Sequence, residues 1–205
     1  MSLDIWLAYL VTAVVFSFAP GSGTVNSISN GMVYGARKSM ASILGLQAGM
    51  AVHIVLVGVG LGTLVAQSEM AFAVIKWIGV VYLVWLGVQK WREHGALDLN
   101  DVNQNVSSGS LFKRAVFINL TNPKTIVFLV ALFPQFIDPA LPQLPQLLVL
   151  GVTTLVIDML VMVFYVSLAA KMSRFIRSEK MMSVLNRVFG SMFIGCGALL
   201  ATARS

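Results

Sequence analysis

Charge is scarce in this chain of 205 residues: 11% are Asp, Glu, Lys or Arg, against 58% hydrophobic. Soluble domains carry roughly a quarter charged residues, so a water-soluble globule is excluded. Cysteine is scarcer still. The single one, Cys196, lies in an apolar run, which rules out an internal disulfide and any cysteine-rich metal site. No His-Glu-x-x-His and no Gly-x-x-x-x-Gly-Lys pattern occurs, so neither a catalytic metal nor direct use of ATP is expected, and no cofactor. The start, Met1-Ser-Leu-Asp-Ile-Trp6, lacks a basic n-region, so the first apolar span is expected to stay uncleaved. Acidic residues are also few, eight against fourteen Lys and Arg, for a formal net charge of +6. In a soluble chain that excess would suggest nucleic acid. Here the basic residues sit between apolar spans, so no nucleic-acid partner is expected. They report topology and contact of the loops with anionic lipid in the bilayer.

What the chain does have is long apolar runs. Crossing a bilayer core takes roughly 20 apolar residues. Six stretches qualify, at about 4–28, 40–66, 70–90, 112–136, 144–170 and 184–203. Two are interrupted. Pro20, Gly21, Ser22 and Gly23 break the first, because proline lacks an N–H and glycine is a poor helix former. Asn119-Leu-Thr-Asn-Pro-Lys-Thr125, centred on Pro123, breaks the fourth. Broken backbone survives at membrane depth only where it is buried in protein or lines a polar cavity. Paired breaks in corresponding places are the mark of a secondary transporter built from repeated halves.

The halves resemble each other weakly. Pro20 aligns with Pro123 at an offset of 103, Leu44-Gly45 with Leu150-Gly151 at 106, and Gly79 with Gly190 and Tyr82 with Phe193 at 111. The expected fold is an all-α integral membrane protein of six transmembrane helices, a 3+3 inverted repeat with helices 1 and 4 broken. Its parts are a first three-helix repeat over residues 1–91, a polar cytoplasmic linker over 92–111 and a second repeat over 112–205. The basic loops hold Arg37, Lys38, Lys90, Arg92, Lys113, Arg114, Lys171, Arg174, Arg177, Lys180 and Arg187. The positive-inside rule then puts both termini on the periplasmic side. The segment from Lys171 to Lys180 reads as a basic loop, although it could also lie as a short amphipathic helix at the inner interface.

Few residues are left to carry chemistry. Asp158 is the only acidic residue deep in a span, and a charge there is expected to face the bundle interior or water. It serves a proton or a substrate amine, or else it is a paired structural aspartate. His53 lies near the middle of the second span, opposite Met159 in the repeat alignment, and so at the level of Asp158. A neutral histidine bonded to a neighbouring helix explains it equally well. Gln47 is polar at the same level. Ala41, Gly45, Gly49 and His53 recur every four residues, a stripe read as close helix packing. The first break exposes N–H groups that suit a carboxylate or carbonyl oxygen, with Ser22, Thr24 and Asn26 nearby. Asn119, Asn122 and Thr125 play the same part in the fourth span. Lys124 is a buried cation that pairs with Asp158, captures a substrate carboxylate, or snorkels to water. Trp6, Trp77, Tyr82, Trp85 and Trp91 read as interface anchors.

Several runs together give the chain a family resemblance. They are Ser17-Phe-Ala-Pro-Gly-Ser-Gly23, Ala41-Ser-Ile-Leu-Gly-Leu-Gln47, the run His53 to Thr63, Asn119-Leu-Thr-Asn-Pro-Lys124, and Phe128 through Phe136. On these the chain resembles the LysE/RhtB family of amino-acid exporters nearly end to end. Many members read Pro-Gly-Pro in the first span, where this chain has Ser22 for the second proline. The resemblance implies export of small amino acids or their derivatives (homoserine, its lactone, threonine) across the bacterial inner membrane, by antiport with protons. It assigns no role to individual residues. The competing class is an intramembrane serine-type hydrolase, with Ser22 between two glycines as nucleophile and His53 as base.

Overall fold

The structure, a computed structural model, describes residues 1–19, 21–64, 69–92, 106–138, 140–171 and isolated positions between 183 and 201. Pro20, most of the linker, the basic stretch after Lys171 and Cys196 lie outside the described residues, as do the side chains of Tyr82 and Lys90.

The described chain is helical. Helix α1 (Leu3–Phe18) starts at Ser2, whose hydroxyl accepts from the Ile5 N–H, and stops at Ala19, which turns extended. Helix α2 (Ser22–Leu64) holds one corner, at Gly35, where φ is 73° and ψ 171°. That region is open almost only to glycine, so one residue makes the bend. The loop expected between the first two spans thus shrinks to a corner, with helix continuing on both sides. Helix α3 (Glu69–Arg92) follows, then α4 (Ser108–Leu120) and the short α5 (Pro123–Val127). A π turn (Phe128–Leu132) and a 3-10 turn (Phe133–Phe136) lead to α6 (Gln143–Lys171).

By length and composition, Ser22–Gly60 and Gln143–Lys171 are able to cross a membrane. A third span results if Ser108–Leu120 and Pro123–Phe136, bent by 49°, count as one. The surface agrees with a lipid environment. On α6, Leu144, Leu148, Val152, Val156, Leu160 and Phe164 are all exposed. Val55, Leu56 and Val59 on α2 and Trp77, Ile78, Val81 and Trp85 on α3 join them. In water so continuous an apolar surface would drive aggregation; against acyl chains it is solvated. This is a membrane-embedded protein.

Helix α2 is the hub, packed against both α4 and α6, while α1 packs on α6. Small residues set the spacing. A Cβ on Gly49 would lie 2.8 Å from the Asn119 Cβ, and one on Gly31 2.7 Å from the Val166 carbonyl. A Cβ on Gly45 would strike the Phe112 carbonyl outright. The Gly45 and Gly49 stripe is a packing surface against α4. One apolar cluster gathers Tyr9, Phe16, Phe128 and Phe133, with Phe16 stacked on Phe128 at 3.8 Å. A second gathers Ile28, Ile43, Leu46, Met162 and Val166.

Candidate functional site

The two interruptions meet. At the second, α4 ends on Thr121 and Asn122 caps the restart, its side-chain oxygen accepting from the Lys124 N–H at 3.1 Å. Pro123 fills the first helical position, where a missing N–H does no harm. Asn-Pro-Lys is therefore a stop and restart written in adjacent residues. It leaves Pro123 exposed, but Asn122 and Lys124 are each 5% exposed.

The Lys124 ammonium donates to the Ala19 carbonyl at the end of α1 and lies 4.3 Å from the centre of the Phe16 ring. A cation there complements the carbonyl end of α1. A Cβ on Gly21 would come within 2.9 Å of the Lys124 stem and 3.5 Å of the Asn122 amide. One on Gly23 would sit 3.5 Å from Leu46 and 3.9 Å from Asn122. The Gly21 and Gly23 backbone thus lies against the Asn122–Lys124 turn, and Ser22 points outward, exposed.

Helix α6 brings the acid. Asp158, 5% exposed, accepts from the Gln47 amide at 2.8 Å. It shares a buried face of α6 with Thr154 and Tyr165, four residues before it and seven after. Both neighbours grip α1. Thr154 bonds the Tyr9 hydroxyl, and the Tyr165 hydroxyl donates to the Phe18 carbonyl at 2.8 Å. Asp158 is thereby held between two attachments of α6 to α1. Ser17, near the end of α1, is fully buried, and its Oγ has no hydrogen-bond partner.

His53 is elsewhere. Its Nε2 lies 3.3 Å from the Asn119 carbonyl, near the end of α4. Gln47 and His53 are six residues apart, which turns them roughly 120° from each other around the helix. One faces α6 and the other α4, so Asp158 pairs with Gln47 and His53 does not join them. Ser22, exposed on α2, is not the partner of His53, and the pair a serine hydrolase needs is not assembled.

Among the described residues four buried side-chain oxygens have no hydrogen-bond partner: Ser17 Oγ, Gln47 Oε1, Asn119 Oδ1 and Thr24 Oγ1, the last in the first turn of α2. Toward Gly35, Asn26 and Asn30 both donate to the Ser42 hydroxyl, at 2.8 and 2.9 Å. Sequence reasoning missed Ser17, Asn30, Ser42, Thr154, Tyr9 and Tyr165. Asn26 and Asn30, four apart and so on one face of a helix, gave the one usable signal. The rest look like ordinary serine, threonine and tyrosine in a helix.

These features define a helical membrane protein whose core carries a buried acid, a buried lysine and unpartnered acceptors where two helices break. The chain belongs to the LysE-type translocator family, whose model matches residues 14–204. That makes it a transporter and not an enzyme. It is 62% identical, over the full length of both chains, to an uncharacterized membrane protein of Vibrio cholerae serotype O1. It is 55% identical to the homoserine/homoserine lactone efflux protein of Salmonella typhimurium, covering 100% of this chain and 99% of that one. The leucine efflux protein of Klebsiella pneumoniae is 32% identical, over 98% of this chain and 96% of its own. No solved structure matches significantly.

Proposed function

We propose that this protein exports small amino acids or their derivatives across the bacterial inner membrane in exchange for protons. Homoserine and its lactone are the first candidates and threonine a further one. The observation that carries the reading is the buried Gln47–Asp158 pair, in a core where Lys124 is also buried at the contact of the two breaks. A carboxylate with an unpartnered amide oxygen beside it suits a substrate ammonium, which has three donors and no acceptor. The N–H groups of the first turn of α2, next to Lys124, suit the oxygen end.

Coupling follows from the same acid. Deprotonated Asp158 holds the ammonium and protonated Asp158 releases it, so one site alternates between proton and amine. Six spans in two inverted halves, with both termini periplasmic, complete the proposal. The repeat exchanges α1 with α4 and α2 with α6, and α1 packs on α6 as α4 packs on α2. Gly21 and Lys124, counterparts at the offset of 103, touch each other, which supports an axis through the breaks.

Counterflow tests this reading. Purified protein in sealed proteoliposomes should exchange labelled homoserine, its lactone or threonine for unlabelled substrate inside. Folded protein that exchanges none of these, nor leucine, would overturn it.

A further inference from the structure

We infer that Lys124 is the specificity residue that separates free amino acids from their lactones and esters, by serving as counter-charge to the substrate carboxylate. This deepens the amino-acid export reading and rests on it.

A lysine at the membrane interior ordinarily reaches for water along its flexible stem. Lys124 does the opposite. It is 5% exposed, its N–H is fixed by the Asn122 cap, and its ammonium is tied to the Ala19 carbonyl and set over the Phe16 ring. Its stem runs beside Gly21, against the backbone that opens α2. A fixed cation therefore adjoins the helix end whose N–H groups favour an anion, and Thr24 Oγ1 is buried and unpartnered in that same turn. The acid, Asp158, belongs to α6, and its partner Gln47 lies further along α2. One buried cation and one buried acid thus sit on different helices, α5 and α6.

A free α-amino acid carries both complementary charges. Its ammonium meets Asp158, its carboxylate meets Lys124, and every buried charge finds an opposite. A lactone or ester carries the ammonium alone and offers a neutral carbonyl where the carboxylate would be. It keeps the Asp158 contact and gains little from Lys124. Charge-assisted hydrogen bonds are roughly twice as strong as neutral ones, so the acid has the larger stake in this residue.

The test is counterflow in proteoliposomes, at a pH acid enough to protonate both α-amines. The half-saturating concentrations of homoserine and homoserine lactone are measured for wild type and for Lys124→Met. The expected result is a loss of ~10-fold or more for homoserine and less than about threefold for the lactone. Equal losses for both would show a structural lysine and overturn the inference, leaving the export reading intact. Folded wild type that exchanges neither compound, nor threonine or leucine, would overturn both. Should Lys124→Met fail to fold, unmodified protein still decides. The methyl ester of an exchanged amino acid should compete ~10-fold more weakly than the acid, and equal potency would overturn the inference.

Discussion

The Gln47 amide donates to the Asp158 carboxylate at 2.8 Å, joining α2 to α6 across 111 residues of sequence. Both side chains lie in helices surrounded by apolar residues, where each alone would be an orphan. The amide supplies the donor that a buried carboxylate requires, and its own oxygen is left without a partner. The pair is therefore both a packing contact and an incomplete shell, open to one more donor. In the export reading that donor is the substrate ammonium.

Removing the amide should weaken substrate binding without unfolding the protein. A hydrogen bond to a charged group contributes about 1.5–3 kcal/mol, so Gln47→Leu should raise half-saturating substrate roughly tenfold or more. Counterflow titration measures this. Wild-type affinity in Gln47→Leu would remove Gln47 from the site.

Glycine positions on α2 divide sharply by what faces them. A Cβ on Gly45 would collide with the Phe112 carbonyl of α4, whereas nothing lies within 4 Å of one on Gly60. Gly45→Leu should destabilise by about 1–3 kcal/mol or more, since it overpacks a helix contact. Gly60→Ala should be neutral or up to ~1 kcal/mol stabilising, through helix propensity. Thermal unfolding in detergent, followed by circular dichroism, compares them. Equal midpoints for the two variants would contradict the α2–α4 packing.

How much of this could be read from the sequence depends on whether a signal is local. The break at Pro123 was legible because proline lacks an N–H, whereas the cap that Asn122 supplies to the restart was not read. The helix boundaries of α3 and α6 followed from apolar length. Gly35 was hidden: a glycine before Ala-Arg-Lys looks like any loop, and only its positive φ shows that it turns the chain alone. Asp158, Gln47 and Lys124 stood out as polar groups in apolar runs, but their partners did not. Lys124 holds the carbonyl of Ala19, and a backbone acceptor leaves no trace in side-chain sequence. His53 was set level with Asp158 by the repeat alignment. Depth is not direction, and the turn of α2 between residues 47 and 53 sends the imidazole to α4 instead.

Topology is a separate expectation. Arg37 and Arg92 are both exposed, the first two residues beyond the Gly35 corner and the second at the end of α3. The positive-inside rule places both in the cytoplasm. With Cys196 removed, Arg37→Cys and Arg92→Cys should resist an impermeant thiol reagent added to intact cells and react after permeabilisation. Labelling of either in intact cells would reverse the orientation.

Proton coupling makes the sharpest demand on one atom pair. Export against a gradient needs a group that takes up and releases protons within the transport path, and titratable side chains inside a span are the natural carriers. Asp158 is buried and bonded to Gln47. His53, on the Asn119 carbonyl, is placed as a strut for the end of α4. Asp158→Asn keeps the size of the side chain and an acceptor for the Gln47 amide, so the fold should survive. It removes the exchangeable proton and the counter-charge for the ammonium. Inverted vesicles carrying Asp158→Asn should lose proton-driven accumulation entirely while retaining at most slow downhill exchange. His53→Gln preserves a donor for the Asn119 carbonyl and should keep accumulation within about threefold of wild type, a loss of under 1 kcal/mol. Reversal of that order, with Asp158→Asn accumulating normally and His53→Gln inactive, would transfer the proton to the histidine and leave the aspartate a structural tie between α6 and α2.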